Sequence, residues 1–151
     1  MKELREKIAV LAAPIIEQQG AFLVEVALHQ EHRDRVVQVL VDTDAGITIE
    51  ACAEVSRAIS AAIENDNAIE GPYRLEVSSP GIDKPLRMLR QFPKNVGRPF
   101  TVRYRSGDGD RTVAGTLAAV KGERLTFSPE KLEPVTVAFA DIIECKEKLP
   151  W

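Results

Sequence analysis

Apolar residues recur at helical spacing from the first turn onward. Leu4, Ile8, Leu11, Ile15 and Ile16 form one stripe, with Glu3, Arg5, Glu6, Lys7, Glu17 and Gln18 off it. This spacing predicts a first helix that stops near Gly20, and Pro14 inside it predicts a lost hydrogen bond and a bend. The period then changes to two. Ala21 to His29 reads as a strand with Phe22, Val24, Val26 and Leu28 on one face, and Glu31 to Asp34 make a turn. Val36 to Asp42 completes a hairpin. Asp44-Ala45-Gly46 breaks the pattern, and Thr48 can cap a second helix whose stripe is Cys52, Val55, Ile59 and Ile63. Asn65-Asp66-Asn67 ends that helix. Tyr73, Leu75 and Val77 alternate with Arg74 and Glu76 as a third strand. Both helices are expected on one face of a three-stranded sheet, where each buries its stripe.

The second half carries shorter strands and more turns. Phe92 to Gly97 predicts a turn of helix, and Pro99 to Arg105 a strand. Ser106-Gly107-Asp108-Gly109-Asp110 is a hairpin turn, because its residues accept positive φ. Strands follow at Thr112 to Val120, Leu125 to Phe127, Pro134 to Phe139 and Ile142 to Lys146, with a bend or bulge at Gly115 and a tight helical turn at Ala140-Asp141-Ile142. Five short strands with tight turns suggest a small barrel of the SH3 or Sm type, in which closure removes exposed edges. The expected fold is therefore α+β: a two-helix, three-stranded N-terminal domain (helix-strand-strand-helix-strand) followed by a small SH3/Sm-like β-barrel. The expected domains are residues 1–80 and 92–151, with a joint over 81–91.

That joint, inside Val77 to Arg87, is stiff by composition. Ser79-Pro80-Gly81-Ile82 fits a type II turn, with Pro fixing φ at the first central position and Gly tolerating positive φ at the second. Asp83 can cap a short helical turn that tolerates Pro85 near its start. Two prolines in six residues suggest a connection that fixes the domains at a set angle.

Charge sharpens the division. The net charge is −3, but residues 1–80 hold 7 Lys/Arg against 14 Asp/Glu, whereas residues 81–151 hold 13 against 9. From Lys84 to Gly107 there are seven basic residues and no acidic one. An anionic partner for this half is one reading, and a solvated face that balances the acidic domain is the other. If the segment is helical, Arg87, Arg90 and Lys94 share a face. Arg103 and Arg105 lie on one side of a strand with Tyr104 on the other. Such cations grip phosphates or carboxylates, but aromatic residues for base stacking are scarce.

Catalytic and metal chemistry find little support. Two cysteines far apart, Cys52 and Cys145, give neither a zinc spacing nor a disulfide framework. His29 and His32 have no third ligand nearby. Asp42, Asp44 and Gly46 miss the calcium-loop spacing. Gly107-x-Gly109 lacks the Lys and the helix of a phosphate loop. Ser78 and Ser79 lie in no nucleophile elbow and have no predicted neighbouring base; hydrogen bonding to backbone at the joint is their expected role. No catalytic residue, metal or cofactor is expected. The charged N-terminus is no signal peptide, and nothing approaches the ~20 apolar residues of a membrane span. A soluble protein of a reducing compartment is expected.

The run Leu75-Glu76-Val77-Ser78-Ser79-Pro80-Gly81-Ile82-Asp83-Lys84-Pro85-Leu86 resembles the ribosome maturation factor RimP family. The likeness extends to Gly20, to Asp44-Ala45-Gly46-Ile47-Thr48, to Cys52-Ala53-Glu54-Val55-Ser56-Arg57 and to Asn95-Val96-Gly97-Arg98. Family members often have Leu and Arg where this chain has Ile82 and Lys84, and Lys keeps the charge without the planar fork. The resemblance implies a cytoplasmic, non-catalytic protein that binds the immature small ribosomal subunit and assists its assembly. It further implies contact with a ribosomal protein near the decoding centre, chiefly through the barrel; the basic Lys84–Arg105 stretch suggests ribosomal RNA as a further partner. No membrane contact and a monomer are expected. Candidate partner-binding residues are Ser79, Pro80, Gly81, Asp83, Lys84, Pro85, Leu86, Arg87, Arg90, Arg98, Arg103 and Arg105. An Sm-like RNA-binding regulatory module that forms rings is the alternative. A hydrolase using Ser79 is a further rival. A KH-type reading is weaker, since no G-x-x-G lies between helices.

Overall fold

A computed structural model describes residues 2–81 and 84–148 of the chain. It divides into two compact units, Met1–Pro80 and Gly81–Trp151. The type II turn and the Asp83 cap expected at the joint involve Ile82 and Asp83, which lie outside the described residues.

The first unit runs α1 (Lys2–Gln18), β1 (Phe22–Glu31), β2 (Asp34–Asp42), α2 (Ile49–Asn65) and β3 (Tyr73–Ser78). The sheet order is β1-β2-β3, with β1 antiparallel and β3 parallel to β2. A parallel neighbour needs a crossover, and α2 supplies it. Ile8, Ala12 and Ile16 of α1 and Val55, Ile59 and Ile63 of α2 are buried against Val26, Val37, Val39 and Val41 of the sheet. Full burial of each such Ile or Val contributes roughly 1.5–3 kcal/mol. The centre of the α1 stripe is thus 8-12-16, with Leu4, Leu11 and Ile15 on its flanks.

Both helices have matching ends. The Thr48 hydroxyl accepts from the Ala51 N–H at 3.1 Å and caps α2. After α1, the Gly20 N–H donates to the Glu17 carbonyl and the Ala21 N–H to that of Ile16, with Gly20 at φ +79°. After α2, Asn67 and Ala68 do the same to Glu64 and Ile63, with Asn67 at φ +49°. Both are Schellman ends, in which the left-handed residue lets orphan carbonyls find donors. α1 continues through Pro14, which is exposed.

The strands correct one expected face. A register shift between Leu23 and Glu25 makes Val24 an extra residue. Leu23, Val26 and Leu28 therefore face the helices, whereas Phe22 lies on the opposite side. The hairpin also continues past its charged ends, pairing Glu31 with Asp34 across a two-residue turn in which His32 takes φ +57°.

The second unit opens with two 3₁₀ turns, Leu89–Gln91 and Pro93–Asn95. Five antiparallel strands follow: β4 (Pro99–Ser106), β5 (Gly109–Lys121), β6 (Arg124–Ser128), β7 (Val135–Ala138) and β8 (Ile142–Glu147). Their order is β7-β6-β5-β4-β8, and a 3₁₀ turn, Phe139–Asp141, links the last two. Phe92, Phe100, Val102, Leu117, Leu125, Phe127, Val137 and Cys145 form the core. The Phe92 and Phe139 rings meet edge to face at 5.9 Å. No ladder joins β7 to β8 among the described residues, so the sheet does not close into a barrel by strand pairing. The irregularity of β5 falls between Leu117 and Ala119, not at Gly115. Gly115 has a different cause: a Cβ there would sit 2.8 Å from the Ser128 carbonyl carbon and oxygen. Among the described residues no helix is long and apolar enough to cross a membrane.

Candidate partner-binding surfaces

The motif that dominates the sequence begins where β3 ends. Ser78 closes the strand. The Ser79 backbone N–H faces the Cys52 sulfur on α2; burial pushes the Cys52 thiol up, and this N–H pulls the other way. Pro80 is half-buried, and Gly81 is exposed with φ +75°, a conformation that costs other residues energy. Asp83 is outside the described residues. Lys84 is exposed.

From Pro85 onward the chain is tied into the second unit rather than spanning a joint. The Leu86 N–H donates to the Cys145 carbonyl at 2.8 Å, and the Leu86 and Leu89 side chains pack against that unit's core. Gln91 is buried, and its Oε1 accepts from both the Arg87 and Met88 N–H groups, at 2.8 and 2.9 Å. The Asn95 Nδ2 donates to the Gln91 carbonyl at 2.6 Å. Leu86, expected as a contact residue, thus has a packing role that the short apolar run did not reveal. The helical face expected of Arg87, Arg90 and Lys94 does not form. Met88 is extended and the two 3₁₀ turns break at Phe92, so no single helix carries all three.

The acid-free stretch is not acid-free in space. Arg98 pairs with Glu147 at 3.3 Å, and Arg103 with Asp110 at 3.9 Å. Arg103 and Arg105 do share the exposed side of β4, opposite Val102 and the half-buried Tyr104. Around Arg103, the residues Thr101, Thr112, Glu144, Lys146 and Glu147 line one shallow hollow of mixed charge. The arrangement suits a polar partner with both signs better than a bare polyanion.

In the first unit, Arg74 is a charged centre that the sequence pattern did not single out. It reaches Glu31 at 2.5 Å, Glu76 at 3.1 Å and Asp34 at 3.8 Å. Its hydrogen bond to Glu76, with the charge of Glu31, pushes the guanidinium pKa up, so it stays charged. Register explains the cluster: Arg74, Val36 and His29 lie in one cross-strand row. The signal was the alternation of Arg74 and Glu76, legible only once β1 and β3 are known to flank β2. Beside it, Ser56, Ser60 and Glu64 of α2 and residues 71–75 line a groove.

Ser78 and the histidines are held apart. The Ser78 row contains Leu40 and Glu25, four rows from His29, a separation of about 13 Å along the strands. The Cys145 thiol is pushed up to about 12 by burial, which keeps it protonated and unreactive near neutrality.

Residues 11–83 match the family model described as the RimP N-terminal domain. The match begins within α1, covers the rest of the first unit and ends inside the joint motif.

Proposed function

The chain belongs to the RimP family, a family of ribosome maturation factors, through its first domain, and from that premise we propose that it binds the immature small ribosomal subunit and assists its assembly without catalysing a covalent reaction. The match over residues 11–83 carries this reading. The separation of Ser78 from His29 supports a non-catalytic role, because a serine nucleophile needs a base within hydrogen-bond reach. The proposed site of action is the cytoplasm.

The second unit is read as an SH3/Sm-like module. Its support is the strand order, a four-strand meander with the last strand returning beside the first, and a 3₁₀ turn before that strand. The proposed contacts are a ribosomal protein near the decoding centre and ribosomal RNA. Lys84, Arg87, Arg90, Arg98, Arg103 and Arg105 supply charge, Ser79, Pro80, Gly81 and Asp83 shape the approach, and Pro85 and Leu86 anchor the segment. A ring-forming Sm-like regulator would join copies through strand edges. The bond from Leu86 to the Cys145 carbonyl occupies part of the β8 edge, which favours the assembly factor acting as a monomer.

Gradient fractionation of cell extract tests the proposal. The protein is expected with free small subunits and their precursors, and to leave them as salt rises. Sedimentation only at the top of the gradient at low salt, with precursors present, would refute it.

A further inference from the structure

The three-stranded sheet is built as though one strand were missing. β3 is its terminal strand, six residues long, and pairs with β2 without a register shift. Alternate N–H and C=O groups of β3 point away from β2, and among the described residues no backbone group pairs with them. Such an edge is usually blunted by a bulge, a lysine or an internal proline. β3 has none of these; Pro72 precedes it.

Helix α2 extends over that vacant position. Ser56, Ser60 and Glu64 recur every fourth residue, beside the buried stripe of Val55, Ile59 and Ile63. They form one wall of the groove whose other wall is the start of β3. Two small serines leave room for the side chains of an added strand. Glu64 closes one end with a carboxylate.

The charge around this groove selects the occupant. The last turn of α2 has no basic residue, Asp66 caps it, and Glu70 follows in the loop. This end of the helix already carries the negative pole of its dipole. Arg74 is outnumbered by the three carboxylates that hold it. The unit as a whole has a balance of −7. A second copy of the same edge, or a nucleic acid, would bring like charge to like charge.

We infer that the β3 edge and the Ser56-Ser60-Glu64 wall take an extended, Lys/Arg-bearing protein segment as a fourth strand. Backbone hydrogen bonds to β3 hold the segment, the serines admit its helix-facing side chains, and Glu64 pairs with a cation. This deepens the assembly reading by giving the acidic unit a partner of stated chemistry. Peptide binding and co-sedimentation with subunits can fail separately, so the two claims are distinguishable.

Amide hydrogen exchange on the full chain provides the test. The probe is a peptide of roughly ten residues that alternates Lys or Arg with Val or Thr. At saturation, alternate amides between Tyr73 and Ser78 are expected to slow by about tenfold or more. Glu64→Lys should weaken binding by roughly three- to tenfold. Ser60→Arg, which fills the groove from a half-buried helix flank, should abolish the protection while the helical circular dichroism is retained. The same peptide with Glu for Lys and Arg should leave β3 unprotected. The inference is overturned by no slowing at millimolar peptide, by equal protection from the Glu peptide, or by protection confined to the second unit. Slowing induced by an RNA oligonucleotide, or by raising the protein concentration alone, would overturn it too, by assigning the edge to another occupant.

Discussion

The Asn95 side-chain amide donates to the Gln91 carbonyl at 2.6 Å, while the Gln91 side chain accepts two backbone N–H groups from Arg87 and Met88. Two buried polar residues thereby set the path of the segment that carries Arg87 and Arg90. Replacing Gln91 by Leu keeps approximate volume and leaves both N–H groups without that acceptor. A loss of about 2–3 kcal/mol is expected, since an unsatisfied buried group costs about 1–3 kcal/mol. Urea unfolding with an unchanged slope would measure it. A loss below about 0.5 kcal/mol, the size of ordinary surface effects, would show that the clasp does not hold the segment.

Gly115 gives a second stability test with its own control. A Cβ at this position would lie 2.8 Å from backbone atoms of Ser128 and 2.9 Å from the Pro129 nitrogen. Backbone on a paired strand cannot move as a side-chain tip can. Gly115→Ala is expected to destabilise by about 2–3 kcal/mol through overpacking. Gly109→Ala meets nothing within 4 Å, and its effect should stay within about 0.5 kcal/mol of zero. Equal midpoints for the two variants in thermal unfolding would contradict the close approach.

Much of this fold is visible in the pattern of residues, and what is hidden has physical causes. Helix stripes at Val55, Ile59 and Ile63 and the Thr48 cap are local, so spacing alone reveals them. The bulge at Val24 is not local. It depends on how β1 meets β2, and it moves Phe22 to the other face although strict alternation suggests otherwise. The cationic stretch misleads because Asp110 arrives across the β4-β5 hairpin and Glu147 from a strand far along the chain. Leu86 looks like part of a connector until its N–H is seen bonded to Cys145. The groove beside β3 was unreadable because a vacant strand position is a property of the sheet order.

Cys145 makes the second unit sensitive to alkali. Burial raises its thiol from 9.0 to about 12 in the folded protein. A folded pKa above the unfolded one means the stabilisation is complete below 9.0 and is lost as pH climbs toward 12. The unfolded chain ionises first and is favoured by doing so. The loss from this one group should reach about 1 kcal/mol by pH 10. Cys145→Ala should be less stable at pH 7, by a cavity cost of about 1 kcal/mol or more, yet show a shallower decline between pH 8 and pH 10. Parallel declines in urea titrations of the two proteins would remove the thiol as the cause.

The basic residues can be separated by the element that carries them. Arg98 and Arg103 lie just before β4 and on its exposed side, each with a carboxylate within 4 Å, whereas Lys84, Arg87 and Arg90 belong to the segment held by Gln91. If the latter three meet phosphates of the immature subunit, replacing all three by Ala should lower the salt slope of binding by about 2, since each lost phosphate contact removes roughly 0.7–0.9. Replacing Arg98 and Arg103 by Ala should change the slope by less if the β4 face makes fewer phosphate contacts than the clasped segment. The comparison requires affinity for purified precursor subunits at several salt concentrations, with unfolding curves to show that both variants remain folded. A larger slope change for the Arg98/Arg103 variant would move the anionic contact from the clasped segment to the strand face of β4.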